Sequence, residues 1–572
     1  MAEFIRTQNS FANGAVAPEF YANDNLNGLS SLQNMDVLSS GAISRRAGLV
    51  SVDKLSGPGR LFSFSVSSDE EYLIVLTDYH MDIYLKDNRI SGLNTPWSYL
   101  DLCHIQCAQR FDTMIFVHSD YPPQTLQKNS DGFVLSEFSF AINEYDLTTN
   151  APFVRFDDTA GITIKVESHE TGTNAAKFTT NRDFWTPENI LGTFMLLGHQ
   201  WIILEYISPK QVIAVTNGVY SLPSSPVSDW QEIAFSRTRG WPRSITFHQD
   251  RLVFGGTRSW AGGIWLSQVG RHNNFNSGTG LDDEAIFISL QSQQRQQICT
   301  VVSADNLQIL TTTGEWAISC KPLTPSSVDI RQHTSVGSYS AYCLAPQQIE
   351  GTTIFVAGNG CDIRELSLDN LSETYSANDL CALSKHLILS PIDISYNASL
   401  RRLYIVNQDG SMAVLNRNSS LGISAWGTYQ TKGSFLSVCV CGGKTYAIVL
   451  RETDDVCLEY FDSSAMQDAD EYSFSFTASG LPVRASGHDI SRLRLRKISA
   501  RVLDTKSIHI NNHRISLPND VYKADASGYS GDVSVNLLGT SSETIKSVWT
   551  VHGTEPYPVT ILSITLHGWY TV

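Results

Sequence analysis

Long hydrophobic runs are missing from this sequence. None approaches the ~18 consecutive apolar residues that a spanning helix needs, so no membrane-spanning segment is expected. The opening MAEFIRTQNSFANG has no continuous apolar core, and a secretory signal is not expected there. Phosphate-cradling loops are absent too: there is neither G-x-x-x-x-G-K-[ST] nor a strand-linked G-x-G-x-x-G. G-x-S-x-G and H-E-x-x-H are also missing, which removes a hydrolase elbow and a zinc-protease site. Positive charge is scarce. The 572 residues hold 41 Lys and Arg against 57 Asp and Glu, a formal net charge of −16. Broad binding to nucleic acid needs many cations to displace phosphate counterions, and this chain would on average repel it. The ten cysteines are scattered, and several, such as Cys299, Cys439 and Cys441, sit in apolar strand-like stretches. Buried free thiols, made in a reducing cytoplasm, are therefore expected. Amphipathic helix signals are few, the best lying at Asp379–His386 and Ser463–Asp470.

What the sequence does have is a recurring hairpin. A short apolar strand, a Gly, Asn or Asp turn and a second apolar strand occur at Tyr72–Leu85, Thr113–Leu126, Arg251–Ser267 and Leu307–Ser319. They return at Thr353–Leu366, Leu403–Leu415 and Thr445–Phe461. Five of the six spacings are about 40–56 residues, the length of a four-stranded propeller blade. The exception, Ile115 to Val253, leaves about 90 residues beyond one blade, room for an insertion. The expectation is an all-β fold: a β-propeller of about six to eight blades, an inserted small β-domain and a β-rich platform. Stacked β-sandwiches are the alternative. The expected divisions are 1–50, part of the platform; 51–156, first blades; 157–227, the insertion; 228–465, remaining blades; and 466–572, the C-terminal platform. A helical or loop piece is expected within the insertion at Thr186–Ile190.

Three places invite a chemical reading. In HQDRLVFGGTRSWAGGIWLSQVGRHNNF, His248 and Asp250 lie two apart, a spacing that on a strand puts both on one side. No nucleophile accompanies them, and they read more simply as turn residues beside a blade strand. Cys103, His104 and Cys107 lack a second ligand pair at zinc spacing. In SRLRLRKISARV, Arg492, Arg494 and Arg496 alternate with Leu493 and Leu495, so three guanidiniums are expected on one strand face. They could be a solvated face, an interface with carboxylates, or a contact to DNA phosphate. No catalytic residue, cofactor or metal is expected.

Three blocks of motifs carry a resemblance. Near the start stand Phe11, Gly14, Pro18, Asn34, Gly41, Arg45, Arg46 and Gly48, with Asn23-Asp24-Asn25 between them. In the middle, HQDRLVFGGT, IWLSQVGRHNNF, LDDEAIFISL, TTTGEWAIS and LTPSSVDIRQHTSVGS follow in order. Their marked positions are Arg251, Phe254, Gly255, Ser267, Phe275, Asp283, Gly314, Glu315, Trp316, Pro325 and Gly337. EPYPVTILSITLHG closes the set with Pro556, Pro558 and Ile561. Together these resemble the tail nozzle (tail tubular protein B) family of short-tailed bacteriophages. The resemblance implies a structural protein of the virion tail, assembled in the host bacterial cytoplasm. It implies a homo-hexameric ring around a channel, attached to a tail adaptor (head-to-tail connector) ring and carrying tail fibres or spikes. Such a nozzle closes the tail and lets double-stranded genomic DNA leave during ejection. A propeller-type glycan depolymerase and a receptor-binding tail protein are the alternatives.

Overall fold

The computed structural model describes residues 2–571, except 22–25, 144–146, 170–173, 218–219, 222, 292–293, 370, 469–473, 483–491, 519–526 and 543–546. Asn23, Asp24 and Asn25 thus lie outside the described residues.

Each hairpin of the sequence is the middle of a four-stranded antiparallel sheet. Seven such sheets follow one another: Arg60–Asn94, Gln106–Glu137, Ser244–Ser289, Ile298–Thr334, Gln347–Asp379, Pro391–Tyr429 and Gly433–Asp462. These are the blades of a β-propeller. The seventh takes its fourth strand from early in the chain, Gly48–Lys54 pairing with Val456–Asp462.

Burial along a blade explains the pattern that sequence alone could read. Second strands such as Arg251–Gly255 and Leu307–Thr311 are buried at every position, packed on both faces, so they read as unbroken apolar runs. Outer strands such as Asn88–Asn94 and Ile330–Thr334 are mostly polar and have no buried residue.

The chain divides into two compact units, one of Met1–Leu102, Pro346–Asp369 and Ser376–Val572, the other of Cys103–Ala345 and Asn370–Tyr375. In the first unit the opening strands of neighbouring blades are cross-linked by polar bonds. Ser437 Oγ accepts from Leu61 N at 3.0 Å and donates to Asp393 Oδ2 at 2.5 Å, with Arg60 Nε 3.9 Å from the same carboxylate. In the second unit Gln106, on the opening strand of the second blade, reaches the opening strand of the fourth. It donates to Cys299 O at 3.2 Å and accepts from Thr300 Oγ1 at 3.3 Å.

The insertion, within the second unit, is one seven-stranded sheet running from Phe153 to Ile233, a few residues wider than 157–227 on either side. Phe178, Trp185, Phe194, Trp201 and Trp230 form its core.

The platform, within the first unit, is built from both ends of the sequence. One sheet carries Ala2–Gln8, Met35–Val37 and Ile43–Arg45 beside Arg492–Thr505, Tyr529–Ser542 and Thr560–Thr571. A second sheet grows out of the sixth blade. Its last strand Ile423–Tyr429 pairs with Gly14–Ala15, and Gly28–Gln33, Phe476–Gly480 and Thr550–Gly553 follow. Between the sheets lie Phe11, Met35, Ile498, Trp549 and Ile564. Gly14 is required at this junction: its φ is +59°, and a Cβ would lie 2.4 Å from Trp426 O.

The expected helices are corrected. Residues 374–379 are a strand and only Lys385–Leu387 forms a 3-10 turn, while 463–468 make turns and a bridge, and 469–470 lie outside the described residues. The helical or loop piece expected at Thr186–Ile190 is a single 3-10 turn, Pro187–Asn189. In each case the apolar side chains are too few to cover a helix of several turns. Among the described residues no helix is long and apolar enough to cross a membrane.

Candidate functional site

The His248–Asp250 corner does not assemble as a catalytic pair. The strand ends at His248, and Gln249 and Asp250 follow at φ +45° and +60°, so the alternation that would place both on one side stops there. His248 Nδ1 meets Ser303 Oγ at 2.9 Å, and burial pushes the imidazole down to about 4. Asp250 turns instead to the Arg110 guanidinium, with His272 Nε2 3.6 Å from the same oxygen. Arg110 holds the Asp250 carboxyl below the usual carboxylate range. Arg251 is fully buried and donates to the carbonyls of Ser267 at 2.7 Å, Asp282 at 2.8 Å and Glu284 at 2.6 Å. It staples loops of the blade together. Ser267 Oγ accepts from Leu252 N and donates to Gln268 O, so it is a link in the same corner.

All ten cysteines are free thiols, six of them buried. Burial pushes Cys299, Cys381 and Cys441 up to about 12, far from the thiolate that chemistry needs. Cys103 and His104 both belong to the 3-10 segment Tyr99–His104, and Cys107 lies on the strand after it, Gln106–Arg110. Among the described residues no group of three His, Cys, Asp or Glu could hold a metal.

The motif residues near the start form a clasp. Arg46 is sealed from solvent and makes a two-toothed pair with Asp468, both N···O distances 2.9 Å. Its guanidinium lies 3.6 Å from the Phe474 ring centroid, and its Nε donates to Asn34 Oδ1 at 2.9 Å. Asp468 also accepts from Leu49 N and Thr431 Oγ1. Arg45 reaches the carbonyls of Glu555, Tyr557 and Phe474. In the fourth blade Glu315 is buried, accepts from Thr334 Oγ1 and from Val336 N, and leaves Oε1 without a partner among the described residues. Burial pushes its carboxyl up.

The arginine strand is the surface feature. Arg494 and Arg496 are exposed, while Leu495 is buried. Arg492 opens the strand, and its side chain lies outside the described residues. A β-bulge between Leu495 and Lys497, present against both neighbouring strands, reverses the alternation. Beyond it Ile498, Ala500 and Val502 are buried, and Ser499 and Arg501 take the outer side. Arg501 is paired with Asp532 at 2.8 and 3.0 Å. The outer face thus carries cations along most of one strand, flanked in register by Trp569 and His567. Lys497 and Arg501 were outside the sequence reading because strict alternation does not anticipate a bulge.

No family profile matches this chain, and no curated protein matches it. Among solved structures it is similar to the WD40 domain of Neurospora crassa Pan2, at 10% identity and a TM-score of 0.32, covering 73% of this chain and 95% of that one. It is similar to BamB from Moraxella catarrhalis at 11% identity and TM-score 0.33, covering 73% of this chain and 100% of that one. U3-55K matches at 6% identity and TM-score 0.37, over 72% of this chain and 98% of that one. Likenesses this distant say nothing of what the chain does. The propeller stands on its own strand order.

Proposed function

We propose that the chain is a structural protein of a short phage tail, the nozzle, and that it performs no catalysis. One observation carries the reading further than the motif order alone: Arg45 and Arg46 of the opening motif bind the C-terminal segment, giving the two ends one common platform. A conduit needs rigid walls, and motif residues used as internal staples suit that task better than they suit chemistry. Six copies would surround a channel, dock on an adaptor ring and carry fibres or spikes, with the insertion at 153–233 as a fibre dock. The net charge of −16 would keep phosphate contacts with passing DNA few. The exposed face of Arg494 and Arg496 suits a carboxylate-bearing neighbour in the assembly.

Negative-stain class averages of assembled tails test the reading. Six-fold rings at the tail tip that disappear when this chain is omitted are expected; a trimer on the tail, or no six-fold ring, refutes it. Incubation with capsular or lipopolysaccharide glycan tests the absence of catalysis, and measurable cleavage would favour the depolymerase instead.

A further inference from the structure

A cavity of ≈ 510 Å³ opens in the second unit where the chain enters and leaves the insertion. That volume lies within the ~300–1,000 Å³ typical of small-molecule sites. Phe156, Asp157 and Asp158 form one side, the third-blade loop Arg258–Gly262 another, and Gln294–Gln296 a third.

Gln296 is 7% exposed. Its Oε1 accepts from Thr313 Oγ1 at 3.3 Å, but its Nε2 has no partner among the described residues. A buried amide left without an acceptor is unfavourable, and a ligand oxygen would supply the acceptor. Arg295 is exposed and has no carboxylate beside it among the described residues. Arg258 is already engaged, by Asp120 at 3.3 Å and by Arg237 O at 2.6 Å. Asp157 and Asp158 are exposed acceptors, and Asp158 is held in place by Arg239 Nη1 at 2.7 Å. Trp260 adds a half-buried aromatic surface, oriented by its Nε1 bond to Ser289 Oγ at 2.9 Å.

The wall therefore offers donors and acceptors together, beside an aromatic surface. A phosphate or other small anion would meet Asp157 and Asp158, and a cation would meet Arg258 and Arg295. A neutral ligand whose every hydroxyl both donates and accepts, and whose ring has an apolar face, satisfies all of them. We propose that this cavity binds a neutral sugar, a mono- or disaccharide, with Asp157 accepting from hydroxyls, Arg295 and Gln296 donating to them, and Trp260 covering a ring face. The site stands apart from the nozzle reading and survives its failure.

The test is saturation-transfer NMR and calorimetry of the full chain with a panel of neutral hexoses, N-acetylhexosamines and their disaccharides, with inorganic phosphate alongside. At least one sugar is expected to bind with a Kd below about 10 mM. Asp157→Ala and Arg295→Ala, both at exposed positions, are each expected to weaken it about tenfold or more without moving the unfolding temperature. Gln296→Leu removes the buried donor and should weaken binding similarly. Absence of binding across the panel, binding of phosphate alone, or sugar binding indifferent to all three variants would each overturn the assignment.

Discussion

Asp468→Asn should unfold the platform early. In the native structure its carboxylate takes two bonds from Arg46 at 2.9 Å, one from Leu49 N at 3.2 Å and one from Thr431 Oγ1 at 2.6 Å. Neither side chain of the pair touches solvent. The asparagine keeps the shape but leaves a guanidinium buried with no counter-charge, which costs about 3–5 kcal/mol. At about 2 °C per kcal/mol for a large unit, the transition should fall by about 6–10 °C. Arg501→Ala breaks a pair of similar geometry whose side chains are 60% and 62% exposed, and solvent screening should leave the transition almost where it was. Differential scanning calorimetry of the two variants gives the comparison. Replacing both partners together, Arg46→Met with Asp468→Leu, removes the orphaned charge and should recover much of the loss. If Asp468→Asn shifts the transition no more than Arg501→Ala does, or if Arg46→Met with Asp468→Leu loses at least as much as Asp468→Asn, the clasp is not held by this pair.

Other consequences can be measured on the same material. The pKa of His248 lies below its ordinary value of 6.5, at about 4, so the unfolded chain takes up a proton first as the pH falls. Stability should drop between those two values, and His248→Gln should flatten that part of a denaturant-midpoint profile. Glu315 is displaced the other way: its carboxyl is raised by burial, so its penalty grows as the pH rises above the ordinary 4.5. Glu315→Gln should therefore gain on the parent chain toward neutral pH, and a pH-independent difference would contradict this. Gly14→Ala should cost at least about 1–3 kcal/mol from the positive φ alone, and more from the Trp426 carbonyl; an unchanged melting temperature would show that the junction gives way.

The blade hairpins were legible because their strands are buried on both faces and punctuated by turn residues. All seven, from Tyr72–Leu85 to Thr445–Phe461, turned out to be second and third strands. Fourth strands were harder to read, since exposed stretches such as Asn88–Asn94 look like loops in composition. Pairings between distant segments left no local trace: nothing near Gly48–Lys54 announces Val456–Asp462. The basic face was half legible, because alternation holds up to Leu495 and the bulge then moves Arg501 outward. At the His248–Asp250 corner the turn reading agrees with the structure, and only the same-side placement differs, because the strand ends at His248. The sugar cleft was out of reach, since Asp157, Trp260 and Gln296 come together only through the packing of the insertion entry against two blade loops.

The strand that completes the seventh blade has a consequence for synthesis. Leu49 pairs with Phe461, so the early strand leaves the ribosome about 410 residues, roughly 20–80 s of translation, before its partner exists. Throughout that interval a nascent chain presents Gly48–Lys54 as an open edge to any strand nearby, including its own copies on the same message. Expression should accordingly favour slow, cool growth and chaperone-rich hosts, and truncations ending before residue 456 should collect in inclusion bodies.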